Sequence, residues 1–293
     1  MYLAIDLGGT FVKRALVNKH GKIFTKDKAP TPNDNVSELY ALIQSFYESL
    51  PEKSVIKGLA LSTPGLPKSD GTIDGCSALT YLHGPNIRDA LEDRLGLPVS
   101  IENDANCAAL AEIWQGAASD CQDVLFVVLG TGIGGAIIKN RQLHKGANLY
   151  GGEFGMMIQY DHSTQSIKGF SELCATGSLV RNVSELLNRT VSGEEVFQLA
   201  EQGNTVCLQA VQSFYHHLAV LLTNLQSVYD PEKILLSGGI TERSAFKDEV
   251  IQSLEVINQL RRNLAISLNI EVAHFKNDAN LIGAVYNAIY SGN

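Results

Sequence analysis

A glycine turn set between two strand-forming runs, and used more than once, constrains this chain more than any other feature. Residues 2–5 lead into Asp6-Leu7-Gly8-Gly9-Thr10, and residues 11–17 lead away from it. The same layout returns where residues 124–129 run into Gly130-Thr131-Gly132-Ile133-Gly134-Gly135 and on through residues 136–139. Short apolar, β-branched runs bounded by glycine read as strands. Glycine at such a turn lets successive backbone N–H groups face an anion at close range. Repetition of the whole unit points to a duplicated lobe. A third turn, Ser237-Gly238-Gly239, follows the strand-like residues 234–236. Taken singly, each turn fits a plain hairpin connection better than a phosphate site.

The remaining pattern is α/β. After Gly21, residues 23–29 are a candidate third strand. Residues 36–50 carry apolar side chains at 36, 39, 42, 43, 46, 47 and 50, a helical spacing that Pro51 ends. Residues 58–62 form a short buried strand running into Pro64-Gly65, residues 87–95 a helix closed by Gly96, residues 99–102 a strand and residues 108–114 a helix. Ala210, Phe214, Leu218, Leu221, Leu225 and Val228 line one stripe of a long helix stopped by Pro231. A length of 293 residues suits two lobes, with a boundary expected near residues 116–120.

Composition narrows the function. At 45% hydrophobic and 18% charged the chain is globular. A net charge of −8 argues against a nucleic-acid or anionic-membrane surface, although backbone N–H groups still suit a small anion. The five cysteines, at 76, 107, 121, 174 and 207, form no CxxC pair and read as reduced thiols. The opening run contains Asp6 and lacks a basic flank, so no signal peptide is expected. No apolar stretch of about 18 residues is present to span a bilayer. The expectation is a soluble, cytoplasmic protein.

Several polar residues fall where chemistry is done. Asp6 can organise hydrated Mg²⁺ and Thr10 can reach a phosphate, while Lys13 is either a phosphate partner or a solvated strand residue. In Glu102-Asn103-Asp104, Asp104 is either a carboxylate favoured by a helix start or a general base. Asn103 offers a donor and an acceptor, which suits a sugar hydroxyl. Glu153 and Glu172 can accept from vicinal hydroxyls or lie solvated on the surface. His216 and His217 are adjacent on one helix, and His83, His144 and His162 sit beside no cysteine pair, so no metal-ligand spacing emerges.

These segments, in this order, resemble the ROK family of bacterial sugar kinases along nearly the whole chain. The resemblance implies a two-lobed, duplicated α/β fold of the actin/hexokinase-like (ribonuclease H-like) ATPase type. DLGGTFVK resembles the first phosphate loop, which implies ATP contacts at Asp6, Gly8, Gly9, Thr10 and Lys13, with Asp6 acting on Mg²⁺ indirectly. LGTGIGGAI resembles the second, with Gly130, Thr131, Gly132 and Gly134. IENDAN matches the catalytic segment and implies that Asp104 is the base beside Asn103. GANLYGGEFG and SELCATGS match stretches that imply sugar contacts at Glu153 and Glu172, and Gly65 is a further implied sugar contact. PEKILLSGGI resembles the adenosine-side turn at Gly238 and Gly239, and DANLIGAVYNAI the closing helix. The implied domains are a smaller lobe over 1–116, rejoined by the helix from about 280 to 293, and a larger lobe over 117–279.

The departures are informative. Met156 replaces the family's usual histidine, Phe170 stands where the last cysteine of a CxCGxxGC cluster is usual, and only His162 and Cys174 lie nearby. Zinc in a structural site takes four N or S ligands, so no structural zinc is expected. The usual Asn-Leu sugar contact has no clear counterpart in SALTYLHGPN, where Asn86 is the candidate. The first phosphate loop starts within ten residues of the chain's beginning and the charge is acidic, which speaks against the family's helix-turn-helix repressors. The implied activity is ATP- and Mg²⁺-dependent phosphorylation of a hexose 6-hydroxyl, with sugar bound between the lobes and no nucleic-acid or membrane partner. Met156 lacks a donor near the reducing end, so N-acetylmannosamine or a β-glucoside is the expected acceptor. Glucokinase or fructokinase activity is the alternative, and a non-catalytic sugar-responsive regulator is the alternative of another class. The family suggests a homodimer.

Overall fold

In the computed structural model, residues 1–33, 35–75, 77–161, 165–261 and 267–291 are described. The chain divides into two units, Met1–Ser119 with His274–Asn293, and Asp120–Ala273. The first unit runs β1 (Tyr2–Leu7), β2 (Phe11–Val17), β3 (Ile23–Pro30), α1 (Val36–Glu48), β4 (Leu59–Thr63), a ribbon of β5 (Leu66–Pro67) and β6 (Ile73–Asp74), α2 (Ile87–Leu95), β7 (Val99–Asn103) and α3 (Asp104–Gln115). β1 is buried from Leu3 to Leu7, as expected of a central strand. It lies antiparallel to β2 and parallel to β4; β2 pairs antiparallel with β3, and β4 parallel with β7. The sheet order is therefore β3-β2-β1-β4-β7.

The second unit runs β8 (Val124–Leu129), β9 (Ile133–Lys139), β10 (Gln142–Leu143), β11 (Ile158–Asp161), β12 (Ser166–Gly169), α4 (Phe170–Cys174), α5 (Thr176–Leu186), α6 (Gly193–Glu201), α7 (Thr205–Tyr229), β13 (Lys233–Ser237), α8 (Phe246–Leu260) and β14 (Ile270–Val272). Its sheet order, β10-β9-β8-β13-β14, repeats the first, with the same two antiparallel and two parallel pairings. The duplication suggested by the glycine turns is thus a duplication of a whole sheet.

Each sheet has its own core. Leu39, Ile43 and Phe46 of α1 and Leu91 of α2 join Ile5, Leu59 and Val99 in the first unit. Phe214, Leu218, Leu221, Leu222 and Leu225 of α7 join Leu125, Val127 and Leu236 in the second. Two helix readings need correction. The apolar stripe of α7 ends at Leu225, since Val228 is 81% exposed beside the left-handed Asp230 that closes the helix. α3 begins at Asp104 rather than four residues later, because the Asn103 side chain caps it by accepting the Asn106 N–H at 3.2 Å.

The last helix, α9 (Ala279–Tyr290), belongs to the first unit and packs on α3. A Cβ at Gly283 would overlap the Cys107 carbonyl, so only glycine permits this approach. Leu281, Ala284 and Val285 complete a small cluster with Ala4, Ala60 and Cys107. The fully buried Glu112 fastens the neighbouring chain, accepting the N–H groups of Ala117 and Phe275 at 2.8 Å each.

Candidate active site

In the first unit the polar residues collect at the carboxyl ends of β1, β4 and β7, the edge where open α/β sheets hold their ligands. The parallel register sets Asp6 opposite Ser62, and Ser62 opposite Glu102. Asp6 is 4% exposed and densely engaged: Oδ1 accepts from Ser62 Oγ and Asn280 Nδ2, each at 2.9 Å, and Oδ2 lies 3.2 Å from Lys13 Nζ. Lys13 faces Asp6 directly across β1 and β2, so it is an ion-pair partner rather than a merely solvated strand residue. Beyond Asp6 the turn rises into solvent, with Gly9 and Thr10 exposed.

Asp104 occupies the first position of α3, and its Oδ1 accepts the Ala105 N–H at 2.8 Å. Asn103 is used at both ends, capping α3 with Oδ1 and donating from Nδ2 to the Gly65 carbonyl at 2.9 Å. Buried Glu102 holds the same corner by accepting from the Asn103 N–H and Asn106 Nδ2, both at 2.9 Å. Behind them, burial pushes the Cys107 thiol far up, and the carboxylates of Glu102, Asp6 and Asp104 push it further. Gly65, Asn103 and Asp104 come together at the end of β7, and Asp6 ends β1 in the same sheet. Asn86 is otherwise employed. It caps α2 and donates to the Asp70 carbonyl at 2.8 Å.

In the second unit the two remaining glycine turns leave the carboxyl ends of the adjacent parallel strands β8 and β13. Gly238 has φ +112° and lies against Leu129, where a Cβ would fall on the carbonyl, so the turns can approach only with glycine there. The turn after β8 is braced from α4 and α5. Ser171 Oγ accepts the Ile133 N–H at 2.9 Å, Gly177 N–H donates to the Gly130 carbonyl at 2.9 Å, and Thr176 Oγ1 donates to the Leu129 carbonyl at 3.2 Å. Thr131 and Gly132 remain exposed at its tip, Gly134 is half-buried in β9, and Gly239 opens the turn after Gly238.

Glu153 lies in a tight turn, with its N–H on the Tyr150 carbonyl at 3.2 Å and its own carbonyl taking the Met156 N–H at 3.1 Å. Its carboxylate has no hydrogen-bond or ion-pair partner among the described residues, and burial raises its pKa. A part-buried carboxylate of this kind is a candidate for ligand contact. Glu172 is exposed at the start of α4, and Oε1 accepts the Gly169 N–H at 3.2 Å. The two segments adjoin, since Phe170 N–H donates to the Met157 carbonyl at 2.9 Å.

Where a zinc cluster would lie, Met156 is 64% exposed and Phe170, 2% exposed, is part of the core. Burial pushes the Cys174 thiol up to about 12. His162 and Cys76 lie outside the described residues. The other four cysteines are free and buried.

Sequence reasoning misses Ser62, Asn280, Ser171 and Thr176. A signal for Asn280 exists: the quartet Asn-Asp-Ala-Asn occurs at 103–106 and again at 277–280, each time where a helix follows the last parallel strand of a sheet. The others need register and packing to be seen.

Known proteins resemble this chain along nearly its whole length. The ROK family pattern matches residues 2–290. The chain belongs to the ROK family. It groups with the family's sugar kinases. It is 35% identical over 297 residues to a β-glucoside kinase of Listeria monocytogenes, covering 99% of this chain and 98% of that one. Among solved structures, a ROK family protein from Streptococcus pneumoniae in complex with sucrose matches with TM-score 0.90 and 35% identity, over 99% of this chain and 98% of that one. A Listeria monocytogenes protein described as a proposed N-acetylmannosamine kinase matches with TM-score 0.88 and 33% identity, over 100% and 99% of the two chains. No helix among the described residues is long and apolar enough to cross a membrane.

Proposed function

We propose that this ROK protein transfers the γ-phosphoryl group of ATP to the 6-hydroxyl of a hexose substituted at C1 or C2, with a β-glucoside the first candidate. The observation that carries the reading is Asp104, a carboxylate at the amino end of a helix, beside Asn103 and Gly65 and following a strand of the same sheet as the Asp6 turn. In this role Asp104 takes the proton of the attacking hydroxyl as that oxygen bonds to phosphorus and the bond to the β-phosphate oxygen breaks. The first unit contributes Gly65 and Asn103 to the sugar and Gly8, Gly9, Thr10 and Lys13 to phosphate. Among the second unit's residues, the family resemblance assigns Glu153 and Glu172 to sugar hydroxyls, Gly130, Thr131, Gly132 and Gly134 to phosphate, and Gly238 and Gly239 to the adenosine side.

Among the described residues no group of three or more His, Cys, Asp or Glu could hold a metal ion. Asp6 already accepts through both oxygens, so it suits a hydrated ion through water rather than direct coordination. Magnesium bound on the nucleotide would neutralise phosphate charge.

The β-glucoside preference is supported by the Listeria relative and by Met156, whose thioether tolerates varied shapes and donates no hydrogen bond. N-acetylmannosamine is the second reading, favoured by the likeness to the other Listeria protein. The test is a coupled assay of kcat/KM for a β-glucoside, N-acetylmannosamine, N-acetylglucosamine, fructose and glucose on one preparation. A substituted hexose is expected to lead. Free glucose ahead by tenfold or more would overturn the preference, and no turnover of any sugar would overturn the kinase reading.

A further inference from the structure

The geometry points to Ser77 as a sugar-hydroxyl acceptor, held in place by His83. Ser77 Oγ lies 3.0 Å from His83 Nε2 and 3.3 Å from the Leu79 carbonyl. His83 Nδ1 lies 3.2 Å from the Ile73 carbonyl. A carbonyl only accepts, so Nδ1 carries the proton and Nε2 of the neutral ring is an acceptor. Ser77 therefore spends its one proton within the loop, on Nε2 or on the Leu79 carbonyl. Its oxygen keeps a lone pair for an incoming donor. If the ring is charged, Nε2–H donates to Oγ, the Ser77 proton turns to the Leu79 carbonyl, and a lone pair still remains.

Position gives this acceptor its meaning. Ala78 Cβ lies 3.9 Å from where a Cβ on Gly9 would stand, and His83 Cε1 lies 3.3 Å from the equivalent point on Gly65. Gly9 belongs to the phosphate turn, and the Gly65 carbonyl takes the Asn103 amide next to Asp104. The segment carrying Ser77 thus runs from one to the other inside the first unit. A hydroxyl acceptor there meets a sugar whose 6-hydroxyl is offered to Asp104. The inference rests on the kinase reading and adds a specificity residue, Ser77, and a positioning residue, His83.

Ser77→Ala is tested against the best sugar of the panel and against its 2-, 3- and 4-deoxy analogues where those hydroxyls are free. One lost hydrogen bond to a neutral hydroxyl corresponds to about a three- to tenfold loss in kcat/KM. Ser77→Ala is expected to lose that much on the parent sugar, through KM. One deoxy analogue should lose activity with the wild type yet show no further loss with Ser77→Ala, while the ATP KM stays within about twofold. His83→Phe should weaken discrimination at the same hydroxyl. Ser77→Cys, which keeps the shape but accepts hydrogen bonds weakly, gives the same reading should the alanine variant not fold. An active wild type whose deoxy profile shifts in parallel for all analogues, or a Ser77→Ala variant altered mainly in ATP KM, overturns the inference alone. A wild type that phosphorylates no sugar overturns the kinase reading and this inference with it.

Discussion

Asp104 is placed by its helix: the same Ala105 N–H that satisfies Oδ1 also fixes the carboxylate at the amino end of α3. A helix-start carboxylate and a general base share that geometry, and substitution separates them. Asp104→Asn keeps size and hydrogen bonding. It is expected to fold with unchanged Tm, retain sugar binding, and lose on the order of 10²–10⁴ in kcat. Turnover within a few-fold of wild type would reduce Asp104 to a helix-start carboxylate. Glu153 makes a second prediction at this scale. Burial raises its pKa above the ordinary 4.5, so the folded state holds the proton more tightly than the unfolded chain. The ionised form therefore costs stability once pH rises through the folded pKa, and that cost is absent below the unfolded value. Glu153→Gln should gain Tm relative to wild type as pH rises from about 4 to 7, while sugar KM increases. A Tm difference that stays flat with pH would contradict the buried-carboxylate account.

Elements with a strong period or a sharp boundary are legible from sequence, and those shaped by tertiary contacts are not. α1 is visible in its spacing, and α2 in Gly96, which closes it as read, whereas Asn86, read as a sugar contact, caps its start. The ribbon of β11 and β12 is invisible because Ile158, Tyr160 and Ile167 are exposed, so no buried alternation marks it. α8 carries a readable stripe at Phe246, Val250, Leu254 and Ile257 that the glycine-turn argument passes over. At the site, the glycine turns and acids are legible from motif, whereas Ser62 and Ser171 matter only because register and packing aim their hydroxyls at Asp6 and Ile133. The ribbon also carries a prediction. With Phe170 and Cys174 both buried in the core, this region is built on packing. Purified protein is expected to carry no stoichiometric zinc, and a chelator to leave Tm unchanged. Phe170→Ala should instead cost about 3–5 kcal/mol in unfolding experiments. About one tightly bound zinc per chain in metal analysis would sink that view.

The order of the chain also separates the molecule's two units. Asp120–Ala273 is one uninterrupted stretch, whereas the first unit is completed only when His274–Asn293 returns to it. That return depends on α9 reaching α3 closely enough for Gly283 to lie on the Cys107 carbonyl, with Leu281, Ala284 and Val285 filling the gap beside Ala4 and Ala60. A methyl group at Gly283 has no space and meets backbone, which cannot swing aside as a side chain can. Overpacking of a tight core contact costs typically about 1–3 kcal/mol, occasionally more. Gly283→Ala should place that loss in the first unit, because the contact it breaks lies wholly there. In hydrogen exchange, amides of β1, β4 and β7 are expected to lose protection while those of β8, β13 and β14 keep theirs. Equal loss in both sheets would mean that the two units unfold as one cooperative body, and the separation of cores would then carry no thermodynamic weight.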